Sequence, residues 1–289
     1  VVVSGDLTGV MARISSADSS LVLLALLVAN VPVLLQSAMW RKMLHHGGIE
    51  MDYRRVLRYS FAGVFFNNIT PAGYVGGQPV VAHLISRGEG RRYEEVLGYI
   101  VSADVFNFLP VFILAGISLM VLYPLSVIPV LVLLIAVYLY RDRLSLPSIT
   151  TERFEGVMIR LRGFANAVKL DEESRKSVPF LMALSVLSFT AEISSVYLVA
   201  FSLGFEVPFH LLVVIIPLSR IANYAPTPGG SGAFEFTFAS LFAVFTPLVY
   251  TEGVAVPVLY RAVTYYFGLG AGFLSVNMLP TDYRNKEEE

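Results

Sequence analysis

Residues 20–40 run for 21 positions without one charged side chain. A helix of that length matches the roughly 30 Å hydrocarbon core of a bilayer. Four more stretches qualify. Residues 96–123 carry one acid, Asp104, and residues 178–205 one acid, Glu192. Residues 254–280 carry one base, Arg261, and residues 124–140 are uncharged but short, with Tyr123-Pro124 reading as the turn before them. The chain is 55% hydrophobic and only 15% charged, against a usual quarter. A soluble core could not hide that much apolar surface, so lipid is the solvent. Five spanning helices of an all-α polytopic membrane protein are predicted.

Two further apolar stretches break this pattern. Residues 59–86 are interrupted by Thr70-Pro71-Ala72-Gly73-Tyr74-Val75-Gly76-Gly77-Gln78-Pro79, and residues 207–250 by Ala225-Pro226-Thr227-Pro228-Gly229-Gly230-Ser231-Gly232. Proline lacks the amide proton and glycine is a poor helix former, so neither insert continues an α-helix. The apolar part of the first arm, residues 59–69, spans only roughly 17 Å at the helical rise. Both stretches are therefore predicted to be re-entrant helical hairpins, whose irregular backbone must be buried in protein or line a cavity. Basic residues agree with this topology. Residues 41–58, 87–95, 141–177 and the tail hold 18 of the 21 Lys and Arg. Two re-entrant hairpins put all four segments on one side, cytoplasmic by the positive-inside rule.

The halves are predicted to be 1–140, with the hairpin at 59–86, and 178–289, with the hairpin at 207–250. The linker at 141–177 joins them on the cytoplasmic side within one domain, 1–289. Inside it, residues 152–170 place Phe154, Val157, Leu161 and Phe164 at helical spacing with basic residues elsewhere on the wheel. That pattern fits an amphipathic helix on the lipid surface, or one docked on the protein's own cytoplasmic face. The first apolar run is too long for a signal peptide. The chain begins at Val1 rather than a methionine, which leaves room for upstream sequence.

Several chemistries are excluded. A net charge of −1 lacks the basic excess that nucleic acid requires. With no cysteine there is no disulfide, thiol nucleophile or cysteine metal site. His45, His46, His83 and His210 show no metal-ligand spacing, so neither a metal, a cofactor nor a catalytic set is expected.

The breaks resemble each other. Asn68 precedes Pro71 by three and is followed by Gly76-Gly77-Gln78; Asn223 precedes Pro226 by three and is followed by Gly229-Gly230-Ser231. Corresponding breaks in oppositely oriented stretches are what an inverted repeat with a midplane substrate site predicts. Each break would expose the free amides of a half-helix start, with glycines letting an anionic group come close. Arg220 and Arg261 would add full charges near the second break. A buried arginine costs at least ~2.5 kcal/mol and needs a partner, for which Glu192 and Glu235 are the candidates. Asp104 and Asn107 are expected to hydrogen-bond between helices.

The segment Phe65-Phe66-Asn67-Asn68-Ile69-Thr70-Pro71 with Gly76-Gly77 resembles the first signature of the lysylphosphatidylglycerol-synthase transmembrane-region, or flippase-like, family. Pro226-Thr227-Pro228-Gly229-Gly230-Ser231-Gly232-Ala233-Phe234-Glu235 is similar to its second, a PxPGGxGxxE pattern. Tyr260-Arg261 matches the family's C-terminal arginine position, and Trp40-Arg41 with Leu44 and Gly47 resembles its segment near the first loop. The resemblance implies movement of lipids across the membrane: aminoacylated phosphatidylglycerol in bifunctional bacterial members, polyisoprenyl-phosphate lipids in archaeal relatives. No acyltransferase-like segment accompanies it here, so lipid aminoacylation is not carried over.

The expectation is thus a flippase of the plasma membrane, C-terminus cytoplasmic, whose partners are membrane lipids; a homo-oligomer is compatible with the sequence. Asn68, Pro71, Gly76, Gly77, Gln78, Glu192, Arg220, Asn223, Pro228, Gly229, Gly230, Gly232, Glu235 and Arg261 are the candidate substrate-binding residues. The rivals are a secondary transporter of a small soluble anion, a membrane-embedded lipid-phosphate transferase, and a subunit of a lipid-synthesis complex.

Overall fold

A computed structural model describes residues 7–70, 76–122, 172–225, 227–246 and 250–279. The predicted span at 124–140, the amphipathic helix at 152–170, Pro71 and the C-terminal tail lie outside them. The described residues are helical, without a strand. A short α1, Leu7–Ser15, leads into α2, Ser19–Ala29, and α3, Val31–His46. Asp18 starts α2 by accepting hydrogen bonds from the Ser20 and Leu21 amides, satisfying donors that have no partner inside the helix. Asn30 and Pro32 interrupt the rod without ending it, and Asn30 Nδ2 donates to the Leu26 carbonyl at 2.7 Å. Ser19–His46 is thus one 28-residue element, and it and Lys176–Ser202 are long and apolar enough to cross a membrane.

The first broken stretch forms α4, Tyr53–Ile69, and α5, Gly77–Glu89. The first arm is 17 residues, about 25 Å at the helical rise, longer than its apolar part suggested. Asp52 caps it by accepting from the Arg54 amide, so the turn bearing Arg54, Arg55 and Arg58 joins the helix. After α5 the chain turns at Gly90, whose φ of 62° suits glycine, into the 30-residue α6, Tyr93–Leu122.

The second half opens with α7, Glu172–Ser202. The second broken stretch forms α8, Phe209–Ile221, a 3-10 turn at Ala222–Tyr224, and α9, Ala233–Phe245. Then α10, Tyr250–Arg261, continues through a π turn, Ala262–Tyr266, into α11, Phe267–Asn277.

The packing in one half reappears in the other. The contacts α3–α4, α4–α5, α5–α6 and α3–α6 correspond to α7–α8, α8–α9, α9–α10 and α7–α10. Across the halves, α4 against α11 matches α8 against α6, and α7 packs centrally on α2 and α3. The α4–α11 seam is close because Gly268 and Gly272 lie one turn apart on α11. A Cβ on Gly272 would stand 2.6 Å from the Phe61 carbonyl oxygen, so only the small side allows this approach. Two apolar clusters form the core, one around Trp40, Tyr59 and Ile85 with Leu181 and Leu279, the other around Leu212, Phe238 and Phe242 with Ala25. Outward, Leu27, Ile117, Leu187, Phe273 and Leu274 are more than half exposed. Large apolar side chains on the outer surface of many helices are what lipid, not water, accommodates.

Candidate functional site

A cavity of about 180 Å³ lies between the two clusters. Its wall draws on α2, α3, α4, α6, α7, α8 and the α10–α11 rod, and it meets both hairpins. Seven carboxamides line it: Asn30, Gln36, Asn67, Asn68, Gln78, Asn107 and Asn223. So do Glu192, Arg220 and Arg261.

Arg220, in the last turn of α8, holds Glu192 of α7 in a two-pronged pair, Nε to Oε1 at 2.9 Å and Nη2 to Oε2 at 2.6 Å. Such a fork fixes direction as well as charge. The Tyr260 hydroxyl hydrogen-bonds to the same carboxylate, and the Arg220 guanidinium stands 5.7 Å from the Phe108 ring centre. Arg261, at the end of α10, pairs with Glu235 of α9 at 3.2 Å. Its Nη2 donates to Asn223 Oδ1 at 2.9 Å and to the Gly229 carbonyl at 2.7 Å, and its guanidinium lies 4.7 Å from the Phe234 ring centre. One arginine thus ties three parts of the second hairpin together. Both expected charge pairs are present.

The first hairpin has a different node. Asp104 of α6 is buried, 6% exposed. It accepts from Gln36 Nε2 at 3.0 Å, Trp40 Nε1 at 2.9 Å and Gln78 Nε2 at 3.0 Å. The expected helix-to-helix bonding of Asp104 is therefore made, to α3 and to α5. Asn107 joins α7 through its main chain, its carbonyl accepting from Ser185 Oγ at 2.7 Å.

The glycines and amides at the breaks face their own protein. Asn67, one residue before the expected Asn68, closes the first hairpin by accepting from the Gly77 amide at 2.7 Å. A Cβ on Gly77 would lie 2.3 Å from the Gly63 carbonyl oxygen, and one on Gly76 2.4 Å from Thr70 Oγ1. In the second break, Glu235 Oε2 accepts from the Gly232 amide at 2.7 Å, as in a capping box. The amides of Gly230 and Ser231 donate to Thr227 and Pro228 carbonyls. Gly229 (φ 58°) and Gly230 (φ 69°) occupy left-handed backbone, and a Cβ on Gly230 would stand 2.4 Å from Asn223 Cα. The breaks also touch each other. The Gly229 amide donates to the Thr70 carbonyl at 3.4 Å, and the Tyr265 hydroxyl, on the π turn, donates to the Asn68 carbonyl at 3.0 Å.

Of the predicted residues, Asn68, Gln78, Glu192, Arg220, Asn223 and Arg261 come together on the cavity wall. Gly76, Gly77, Pro228, Gly229, Gly230, Gly232 and Glu235 do not line it, and Pro71 is outside the described residues. Trp40, Asn67 and Tyr260, named above only within the resembling segments, also line the wall, as do Gln36 and Tyr265, which the sequence did not single out. The one signal for Gln36 was its place as a polar group inside an uncharged span. The described residues include no cluster that could hold a metal ion.

Comparison with known proteins agrees with this picture of a membrane protein. A UPF0104 membrane protein of Archaeoglobus fulgidus is 28% identical over 292 residues, covering 87% of this chain and 86% of that protein. One of Pyrococcus horikoshii is 23% identical over 259 residues, covering 78% and 77%. One of Methanothermobacter thermautotrophicus is 23% identical over 249 residues, covering 76% and 74%. The model of the lysylphosphatidylglycerol synthase TM region matches residues 1–272, and the chain belongs to that family.

Proposed function

We propose that the protein passes the polar headgroup of an anionic lipid across the bilayer through the cavity between its broken hairpins. The observation that carries this reading is the convergence of Arg220 and Arg261 with seven carboxamides on one cavity, inside a molecule whose outer surface is apolar. Guanidinium and carboxamide donors suit a phosphate or phosphodiester, while the hydrocarbon tails stay in lipid. Among the described residues the Gly77, Gly229, Gly230, Ser231 and Gly232 amides are already bonded, so side chains supply the donors. In this reading the matched packing of the halves is an inverted repeat, and α4–α5 and α8–α9 are re-entrant hairpins entering from opposite sides. The C-terminus is cytoplasmic and the membrane is the plasma membrane.

Reconstitution tests this. Vesicles containing the protein should redistribute labelled phosphatidylglycerol or a labelled polyprenyl phosphate between leaflets faster than empty vesicles. Uptake of soluble phosphate or sulfate with no lipid movement would instead establish a transporter of small anions.

A further inference from the structure

Asp104 is the acid that the headgroup reading leaves unused. The buried Glu192 and the half-buried Glu235 each hold an arginine. Asp104 is as deeply placed, yet among the described residues its polar partners are the neutral Gln36, Trp40 and Gln78. Several ionisable groups of the neighbouring helices are engaged elsewhere: His45 with Glu50, His46 with Ser177 and Glu89 with Arg55. On α3, Arg41 Nε donates to the Met51 carbonyl; on α5, His83 packs on Tyr93. On α7 and α8, Glu192 and Arg220 hold each other. An acid without a cation at this depth is costly while ionised, and acids so placed serve proton relays.

Two further features point to a proton. All three donors to Asp104 also line the cavity, so a headgroup entering it must reach them. And Gln78 Oε1 is buried without a hydrogen-bond partner while Nε2 of the same amide donates to Asp104 Oδ2. An end-for-end turn of that amide exchanges a donor for an acceptor beside Oδ2. Asp104 can then be held in either form, by Nε2 when ionised and by Oε1 when Oδ2 carries hydrogen.

We infer that Asp104 is a proton-binding site linked to the cavity's anionic ligand. A proton from cavity water adds to Oδ2, giving the neutral acid, and the Gln78 amide turns to accept from the new O–H. The wall of the first hairpin loses its negative charge, so an anionic headgroup binds more tightly beside it. Linkage is reciprocal, and the bound headgroup favours the proton in turn. One proton per ligand makes binding up to ~tenfold tighter per unit fall in pH. The linkage to transport rests on the headgroup reading; proton binding does not.

Infrared difference spectra of the full chain in lipid nanodiscs, acid minus neutral, separate the two. A carboxylic-acid carbonyl band should grow on acidification, vanish in Asp104→Asn and return shifted in Asp104→Glu. A wild-type spectrum without such a band, or a band unchanged in both variants, overturns proton binding. In vesicles, a pH gradient should drive labelled phosphatidylglycerol, whose phosphodiester does not itself titrate in this range, in the wild type and not in Asp104→Asn. Lipid movement indifferent to the gradient overturns the linkage. Failure of every lipid probe to move, with the band still titrating, overturns the headgroup reading and leaves proton binding standing.

Discussion

Asp104 and Arg261 lie 157 residues apart and hold the same station in the two halves. Each sits on the helix after a broken hairpin and binds the first turn of that hairpin's second arm, Asp104 to Gln78 and Arg261 to Glu235, across the same 26-residue interval. The equivalent residues differ in charge. One half is fastened by a carboxylate taking neutral donors, the other by a guanidinium with its own counter-ion.

Arg261→Ala should destabilise the fold by about 3 kcal/mol or more, because it leaves Glu235 uncompensated in a partly buried site. Arg261→Lys should recover only part of this, since one ammonium cannot serve Glu235, Asn223 and the Gly229 carbonyl in their present directions. Thermal unfolding in nanodiscs reads both. A lysine variant as stable as wild type would mean that charge alone matters there.

Glu192 and Arg220 can be tested for structure against function. Either single change to leucine should destabilise strongly, while Glu192→Leu with Arg220→Leu should recover much of the stability. The double variant should stay folded and lose lipid movement. Full movement in it would show that this pair serves only to hold α7 on α8.

Glycine replacements should divide by contact rather than by backbone angle. Gly230→Ala would drive its Cβ into Asn223 Cα and should abolish stable expression. Gly232→Ala shares a positive φ, 84°, but meets nothing within 4 Å, and should cost on the order of 1–3 kcal/mol from strain alone. Equal damage at both positions would contradict the close approach to Asn223.

The chain contains no cysteine, so single cysteines report topology without background. With opposed hairpins, Arg92→Cys between α5 and α6 should react from the cytoplasmic face, and Glu206→Cys between α7 and α8 from outside. Both positions are exposed. Labelling of both from one side would remove the inverted repeat.

What was legible in the sequence follows from what a local pattern can express. Proline and glycine forbid helix whatever surrounds them, so the two breaks stood out, and a charge in an uncharged span must be partnered, so Glu192, Arg220, Glu235 and Arg261 stood out too. The extent of α4 was missed because its first turn is polar and is held by the Asp52 cap rather than by apolar periodicity. If the halves are a repeat, their hydrogen bonds and ion pairs suggest a slightly different register from the one the break motifs suggest. Asn68 and Asn223 are 155 residues apart, whereas the contacts register at 157, the interval that also separates Thr70-Pro71 from Thr227-Pro228. Gln36 and Tyr265 were silent because each is ordinary alone. Their meaning comes from partners far along the chain, at Asp104 and Asn68.

The junction of Gly229 with Thr70 consists of two peptide groups, not two side chains. Substitution can therefore reshape the supports around it, but short of proline at position 229 it deletes neither member. Away from water, parting them leaves a donor and an acceptor wanting, unless the passing molecule offers oxygens of its own. A cargo rich in acceptors would satisfy the freed amide as it goes by and so ease the very motion that admits it. In the headgroup reading, selectivity and opening would then be one event, carried by the main chain rather than by any side chain.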